Sequence, residues 1–158
     1  MNRRTVAAYA LGAAGLALCL PATGQAQPAG PTPGSPCGAP AERALSQLPD
    51  GTAVQCTGGR WAPYSDPYPS GDLWLSTDTG LQLHGQGMRN PEMLSGPWTG
   101  SPLAPDAQCR AEQTAVVSAG EVGAPQVAEG QPGQPLHFEV LPVMFTIELS
   151  GDCLWRAG

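Results

Sequence analysis

At 158 residues the chain has room for one domain, and seven basic residues against 13 carboxylates give it a formal charge of −6 at neutral pH. Such an acidic balance excludes nucleic acid and anionic lipid surfaces as partners, because both need a basic face. Beyond the N-terminus no run approaches the ~20 consecutive apolar residues of a membrane helix, which excludes a direct span.

The first 26 residues read as a secretory signal peptide. Arg3 and Arg4 form a charged start, residues 6–20 an apolar run rich in Ala, Leu and Gly, and residues 21–26 a small-residue end with Gly24 and Ala26 at the two recognised positions. A lipid anchor at Cys19 is disfavoured because Leu18 stands where a lipidation box wants Gly, Ala or Ser. With Arg3 and Arg4 removed, five arginines and no lysine face the 13 carboxylates, a formal charge near −8 on the exported chain. The absence of lysine and the wealth of Ala, Gly, Pro and Arg suggest a GC-rich bacterial source.

Residues 27–36 (QPAGPTPGSP) form a Pro/Gly linker with too few apolar side chains to offset ordering entropy, and are expected to be disordered. The domain is expected over residues 37–158. Residues 40–48 (PAERALSQL) predict a short helix, with Pro40 in its first turn and Ala41, Ala44, Leu45 and Leu48 as a narrow apolar stripe. Pro49-Asp50-Gly51 ends it, and residues 52–57 alternate as a strand carrying Cys56. Residues 60–70 (RWAPYSDPYPS) hold three prolines that forbid regular ladder pairing, so they predict a loop bearing Trp61, Tyr64 and Tyr68. Rings on a loop are either folded down as a lid or held out as a contact surface.

Residues 73–77 and 81–84 are two alternating runs joined by Asp78-Thr79-Gly80, which predicts a hairpin with glycine at the positive-φ position. Residues 85–100 are polar and punctuated, with a possible strand near Trp98. Residues 109–118 read as a strand, with helix competing because Ala, Glu and Gln suit either, and residues 122–128 as an edge strand or extended loop because Pro125 removes a donor. After the turn cluster at 129–135 comes the most regular stretch, LHFEVLPVMFTIELSGDCLW at 136–155. Leu136, Phe138 and Val140 share one face. Beyond Pro142 the parity puts Val143, Phe145, Ile147 and Leu149 on one side, with Met144, Thr146, Glu148 and Ser150 on the other. Gly151-Asp152 turns the chain, and Trp74 and Trp155 are the expected core tryptophans.

Four cysteines remain after the leader: Cys37, Cys56, Cys109 and Cys153. An even number in a small exported domain reads as two disulfides, and of the three possible pairings Cys37–Cys56 with Cys109–Cys153 is favoured because each brackets one contiguous segment. No pair has the spacing of a zinc site or of a Cys-x-x-Cys redox site. Short strands at regular spacing with Gly/Pro turns predict an all-β fold, a small disulfide-stapled β-sandwich or barrel with one short N-terminal helix.

Several residues in the second half also resemble a type of small secreted domain found in actinobacterial cell-envelope proteins. There a Pro-Gly-aromatic-Arg phrase precedes a cysteine, and a final strand runs into Gly-Cys-x-x-Trp. Here Ser95-Gly96-Pro97-Trp98, Cys109-Arg110, Leu141-Pro142, Phe145 and Ser150-Gly151-Asp152-Cys153-Leu154-Trp155 stand at the corresponding places. No aromatic follows Cys109, and one residue rather than two separates Cys153 from Trp155. The resemblance implies a β-rich domain closed by Cys109–Cys153, and it brings no catalytic residues.

Chemistry is sparse. His84 and His137 are the two histidines, there is no G-x-S-x-G elbow, and Glu139 and Glu148 lie on polar strand faces where solvated carboxylates normally sit. No metal loop, phosphate loop or cofactor fingerprint is present. The expected site is therefore aromatic, with Trp61, Tyr64, Tyr68 and Trp98 gripping an extended partner or a sugar. The reading is a secreted, non-enzymatic binding domain of the cell envelope with a protein partner favoured over a cell-wall glycan. The alternatives are a small extracellular hydrolase whose groups converge only in three dimensions, and an accessory subunit of a membrane complex.

Overall fold

The computed structural model describes residues 30–158. The expected leader and residues 27–29 lie outside the described residues. The described chain is almost all β, with one single-turn 3-10 segment, Ala39–Ala41.

Strands β1 (Leu45–Gln47), β2 (Ala53–Thr57) and β3 (Arg60–Pro63) form an antiparallel meander. They are followed by β4 (Leu73–Ser76), β5 (Leu81–His84), β6 (Gly96–Pro102) and β7 (Arg110–Ser118). The short edge pieces β8 (Glu121–Val122) and β9 (Gln126–Glu129) come next, then β10 (Leu136–Val140), β11 (Met144–Ser150) and β12 (Cys153–Ala157). Seven strands make one sheet in the order β10-β6-β12-β4-β1-β2-β3, and β5-β11-β7 with β8 and β9 make a second sheet of five. The two stack as a sandwich with open edges, so of the two expected architectures the closed barrel is not formed.

The main core lies between the sheets. Trp74, Val140, Met144, Ile147, Leu149 and Trp155 have no solvent contact and pack with Leu81, Leu83, Met93 and Trp98. Each large apolar side chain buried in this way contributes roughly 2–3 kcal/mol. Trp155 is the centrepiece. Its indole N–H donates to Ser76 Oγ at 2.7 Å, Ser76 Oγ donates to Gly151 O at 2.6 Å, and Phe138 meets its ring edge-on at a centroid distance of 5.7 Å. Gly100 lies beneath that ring, where a Cβ would come 2.5 Å from it, so only glycine fits. A second, smaller core covers the other face of the seven-stranded sheet. Leu73, Leu75 and Leu154 of β4 and β12 point into it and meet Ala41, Ala44, Val54, Cys56 and Trp61. Alternate residues of β4 thus serve two cores, and all four are buried.

Both favoured disulfides are present. Cys37–Cys56 ties the N-terminal segment to β2, and Cys109–Cys153 joins the start of β7 in one sheet to β12 in the other.

Several local expectations are corrected. The helix over 40–48 is absent. Arg43 takes a left-handed φ of 71°, and from there the chain bonds to β2 through Arg43 N–H to Cys56 O at 2.8 Å and Cys56 N–H to Ala44 O at 2.9 Å. Ladder pairing outweighs a modest helix propensity. The described part of the expected linker, residues 30–36, is laid along β3 rather than left free. Gly34 N–H donates to Trp61 O at 2.7 Å, Trp61 N–H to Ser35 O at 3.0 Å, and the Arg60 guanidinium to Gly34 O at 2.7 Å. Backbone pairing anchors this segment where side chains would not. Arg60–Pro63 pairs as β3 despite its proline, because an edge strand tolerates a missing N–H.

Residues 73–84 are not a hairpin. The Gly80 N–H to Thr77 O turn bond at 3.0 Å is there, yet β4 pairs with β1 and β12 while β5 pairs with β11 in the opposite sheet. Gly151-Asp152 likewise carries the chain from β11 across the sandwich to β12. Within β11 a register shift between Met144 and Thr146 resets the parity, so Met144 is buried with Ile147 and Leu149 while Val143 is half exposed.

Candidate functional site

The four aromatic residues do not form one exposed face. Trp61 on β3 is 5% exposed and Trp98 on β6 is 2% exposed, with the Trp98 indole N–H donating to Leu94 O at 2.9 Å. Tyr64 is half buried against the main core. Only Tyr68 stands out, 60% exposed, on a turn closed by its N–H to Asp66 Oδ1 at 2.9 Å. A chain with two phenylalanines takes its core volume from tryptophan. The loop is mostly lid, and of the four Trp61 and Trp98 line cavities, on different parts of the surface.

The histidines differ in surroundings. His137 is exposed and shares a hydrogen bond of 2.9 Å with Thr99 Oγ1. His84, at the end of β5, has its Nδ1 2.6 Å from Glu92 Oε2. That carboxylate is buried and also accepts from His84 N–H at 2.9 Å, while Gln47 Nε2 donates to Oε1 at 3.1 Å. Glu92 was missed in the sequence because residues 85–100 read as polar punctuation; the signal was an acidic residue directly before the apolar pair Met93-Leu94. Glu139 and Glu148 are exposed on strands of different sheets and do not make a catalytic pair.

One group among the described residues has metal-type atoms close together: Cys37, Glu42 and Cys56, all within 4.8 Å. Both sulfurs are in the disulfide, and the Glu42 carboxylate accepts the Gly58 and Gly59 N–H groups at 2.9 and 3.1 Å. The trio closes the β2–β3 turn and offers no thiolate.

The concavity best suited to a ligand runs between the N-terminal segment and the seven-stranded sheet, against β3, β4 and the residues that flank β6 and β12. Its apolar end, about 180 Å³, is walled by Pro31, Pro36, Pro40, Trp61, Leu75 and Leu103. Its polar end, about 390 Å³, is walled by Thr32, Gln47, Thr77, Asp78 and Thr79. Gly30, Pro31, Thr77 and Asp152 line both ends, so the two adjoin with Asp152 shared between them. Leu103 is 46% exposed, an apolar side chain left at the rim.

Asp152 holds its proton more tightly than an ordinary aspartate. Partial burial is the main cause, the charges of Asp78 and Asp106 add to it, and the Asp78 backbone N–H opposes it. Among the described residues no basic side chain is ion-paired with any of these three carboxylates. Because the folded chain binds this proton more strongly than the unfolded chain, the Asp152 contribution to stability falls as pH rises from the ordinary value near 4 through its raised folded value, and stays low above it. Asp152→Asn is expected to remove that part of the pH dependence. Urea unfolding at several pH values should show the variant equal to or more stable than the parent at neutral pH, and a clear loss there would contradict the assignment.

No helix among the described residues is long and apolar enough to cross a membrane. No protein-family model, curated protein or solved structure matches this chain.

Proposed function

We propose that this chain is a secreted, non-enzymatic interaction domain of the bacterial cell envelope, and that the groove beside Asp152 receives a protein partner. The observation that carries the reading is the groove itself: an apolar end with a rim leucine, adjoining a polar end whose carboxylates, Asp78 and Asp152, are ion-paired with no basic side chain among the described residues. Two disulfides suit an oxidising compartment. A protein is favoured over a glycan because the rings that would stack on sugars are largely buried, and because anionic wall polymers would meet carboxylates.

The oxidised protein, incubated separately with envelope proteins and with insoluble cell wall, tests this. Capture of a protein by the parent, weakened about tenfold by a charge at the rim in Leu103→Asp, is the expected result. Retention by the wall alone would overturn it.

A small extracellular hydrolase is the second reading, and one observation favours it: a buried carboxylate orients His84 through Nδ1. Turnover of simple ester or peptide substrates, lost in His84→Ala, would move it to first place.

A further inference from the structure

We infer that the groove recognises a basic, extended segment of its partner in which a lysine or arginine stands close to an apolar residue. The inference rests on the groove reading above and adds the chemistry of the occupant. The apolar end offers proline, tryptophan and leucine surface, with Asp152 where it meets the polar end, and suits a side chain such as leucine. The polar end places Asp78 and Asp152 along its wall, with Asp106 near enough to act on Asp152. Asp152 is partly buried beside the charges of Asp78 and Asp106, with no basic side chain among the described residues paired to any of them, and a bound cation would offset that cost. An anionic or neutral ligand would leave that repulsion in place. Charge complementarity therefore selects a cation, and the adjoining apolar end selects a cation on a peptide rather than a free ion.

Two occupants from this chain itself are distinguishable. No side chain of Gln27, Pro28 or Ala29 is charged, so from this segment only an α-amino group freed by cleavage would compete for the polar end. A second copy offers, among the described residues, the exposed segment Met88-Arg89, with Met88 42% exposed. Sedimentation of the protein tests it. A dimer that Arg89→Ala abolishes would overturn the inference in favour of self-association.

The direct test is NMR titration of the labelled protein with acetyl-leucyl-lysine amide, acetyl-leucyl-norleucine amide and acetyl-leucyl-glutamate amide. The lysine peptide is expected to move the Trp61 indole and Asp78 amide signals. The norleucine peptide, which keeps the stem and drops the charge, should bind about tenfold more weakly, and the glutamate peptide more weakly still. Asp78→Asn and Asp152→Asn should each weaken the lysine peptide several-fold and leave norleucine unaffected. Raising salt from about 0.05 to about 0.5 M should weaken lysine binding alone. Equal binding of lysine and norleucine peptides, or lysine binding untouched by both substitutions, overturns the inference. If no peptide moves the groove signals while a partner is still captured through Leu103, the cation assignment fails and the groove reading stands. If capture is also insensitive to Leu103→Asp, both fall.

Discussion

Replacing Cys109 and Cys153 together by alanine is expected to lower stability by about 4 kcal/mol, the loss from opening a loop of this length in the unfolded chain. The sequence separation is 44 residues, against 19 for Cys37–Cys56, whose removal should cost about 3 kcal/mol. Cys109 and Cys153 are fully buried, and their bond crosses from the residue before β7 in the five-stranded sheet to β12, an interior strand of the other. Its loss should therefore also loosen the Gly151-Asp152 crossing and the Trp155 contacts that follow it. Urea unfolding of the two double variants gives both numbers. A larger loss for Cys37 and Cys56 would mean that the N-terminal staple matters more than loop length indicates.

Glu92→Ala is expected to cost about 3 kcal/mol, a large effect for one side chain. The carboxylate holds β5 through His84, and it reaches β1 of the opposite sheet through Gln47. The Glu92 backbone adds bonds from its N–H to His84 O at 2.9 Å and from Gly71 N–H to its carbonyl at 3.1 Å. Truncation leaves the His84 amide and the Gln47 amide without their acceptor, whereas Glu92→Gln keeps one acceptor oxygen and should lose only about 1 kcal/mol. Thermal unfolding of the pair measures the difference. Equal losses would show that the side chain acts through packing and not through its hydrogen bonds.

The strands were legible where a simple period holds. Leu136, Phe138 and Val140 share a face as read, and Trp74 and Trp155 are both fully buried. The disulfide pairing was legible from spacing. What failed, failed for local reasons. A period of two cannot reveal an extra residue, so the bulge at Met144 reversed the parity before it. Turn residues report that the chain reverses but not into which sheet, so Asp78-Thr79-Gly80 read as a hairpin although it links two sheets. Exposure of the rings at 61–68 depended on what covers them, and Trp61 packs with Cys37, Ala41 and Ala44, the last two expected on a helix. The groove was invisible for the same reason. Its walls come from residues 30–32, 36–38, 40–41, 47, 49, 61, 75–79, 103 and 152, which no local pattern connects.

The place of β12 has a consequence for how the chain reaches its native state. It lies between β4 and β6, which have no pairing with each other, and Cys153 is aligned with Ser76 on one side and Pro102 on the other. The seven-stranded sheet thus stays in two halves until this late strand inserts and supplies Trp155 to the core. Such a high contact order makes the folding nucleus non-local and puts folding in roughly the millisecond-to-second range rather than the microsecond range. During that interval β4 and β6 each present an unsatisfied edge, which is the period of greatest risk of association between chains. A chain that cannot close its central sheet early stays open to pairing with other chains, and commits to its structure only when β12 has arrived.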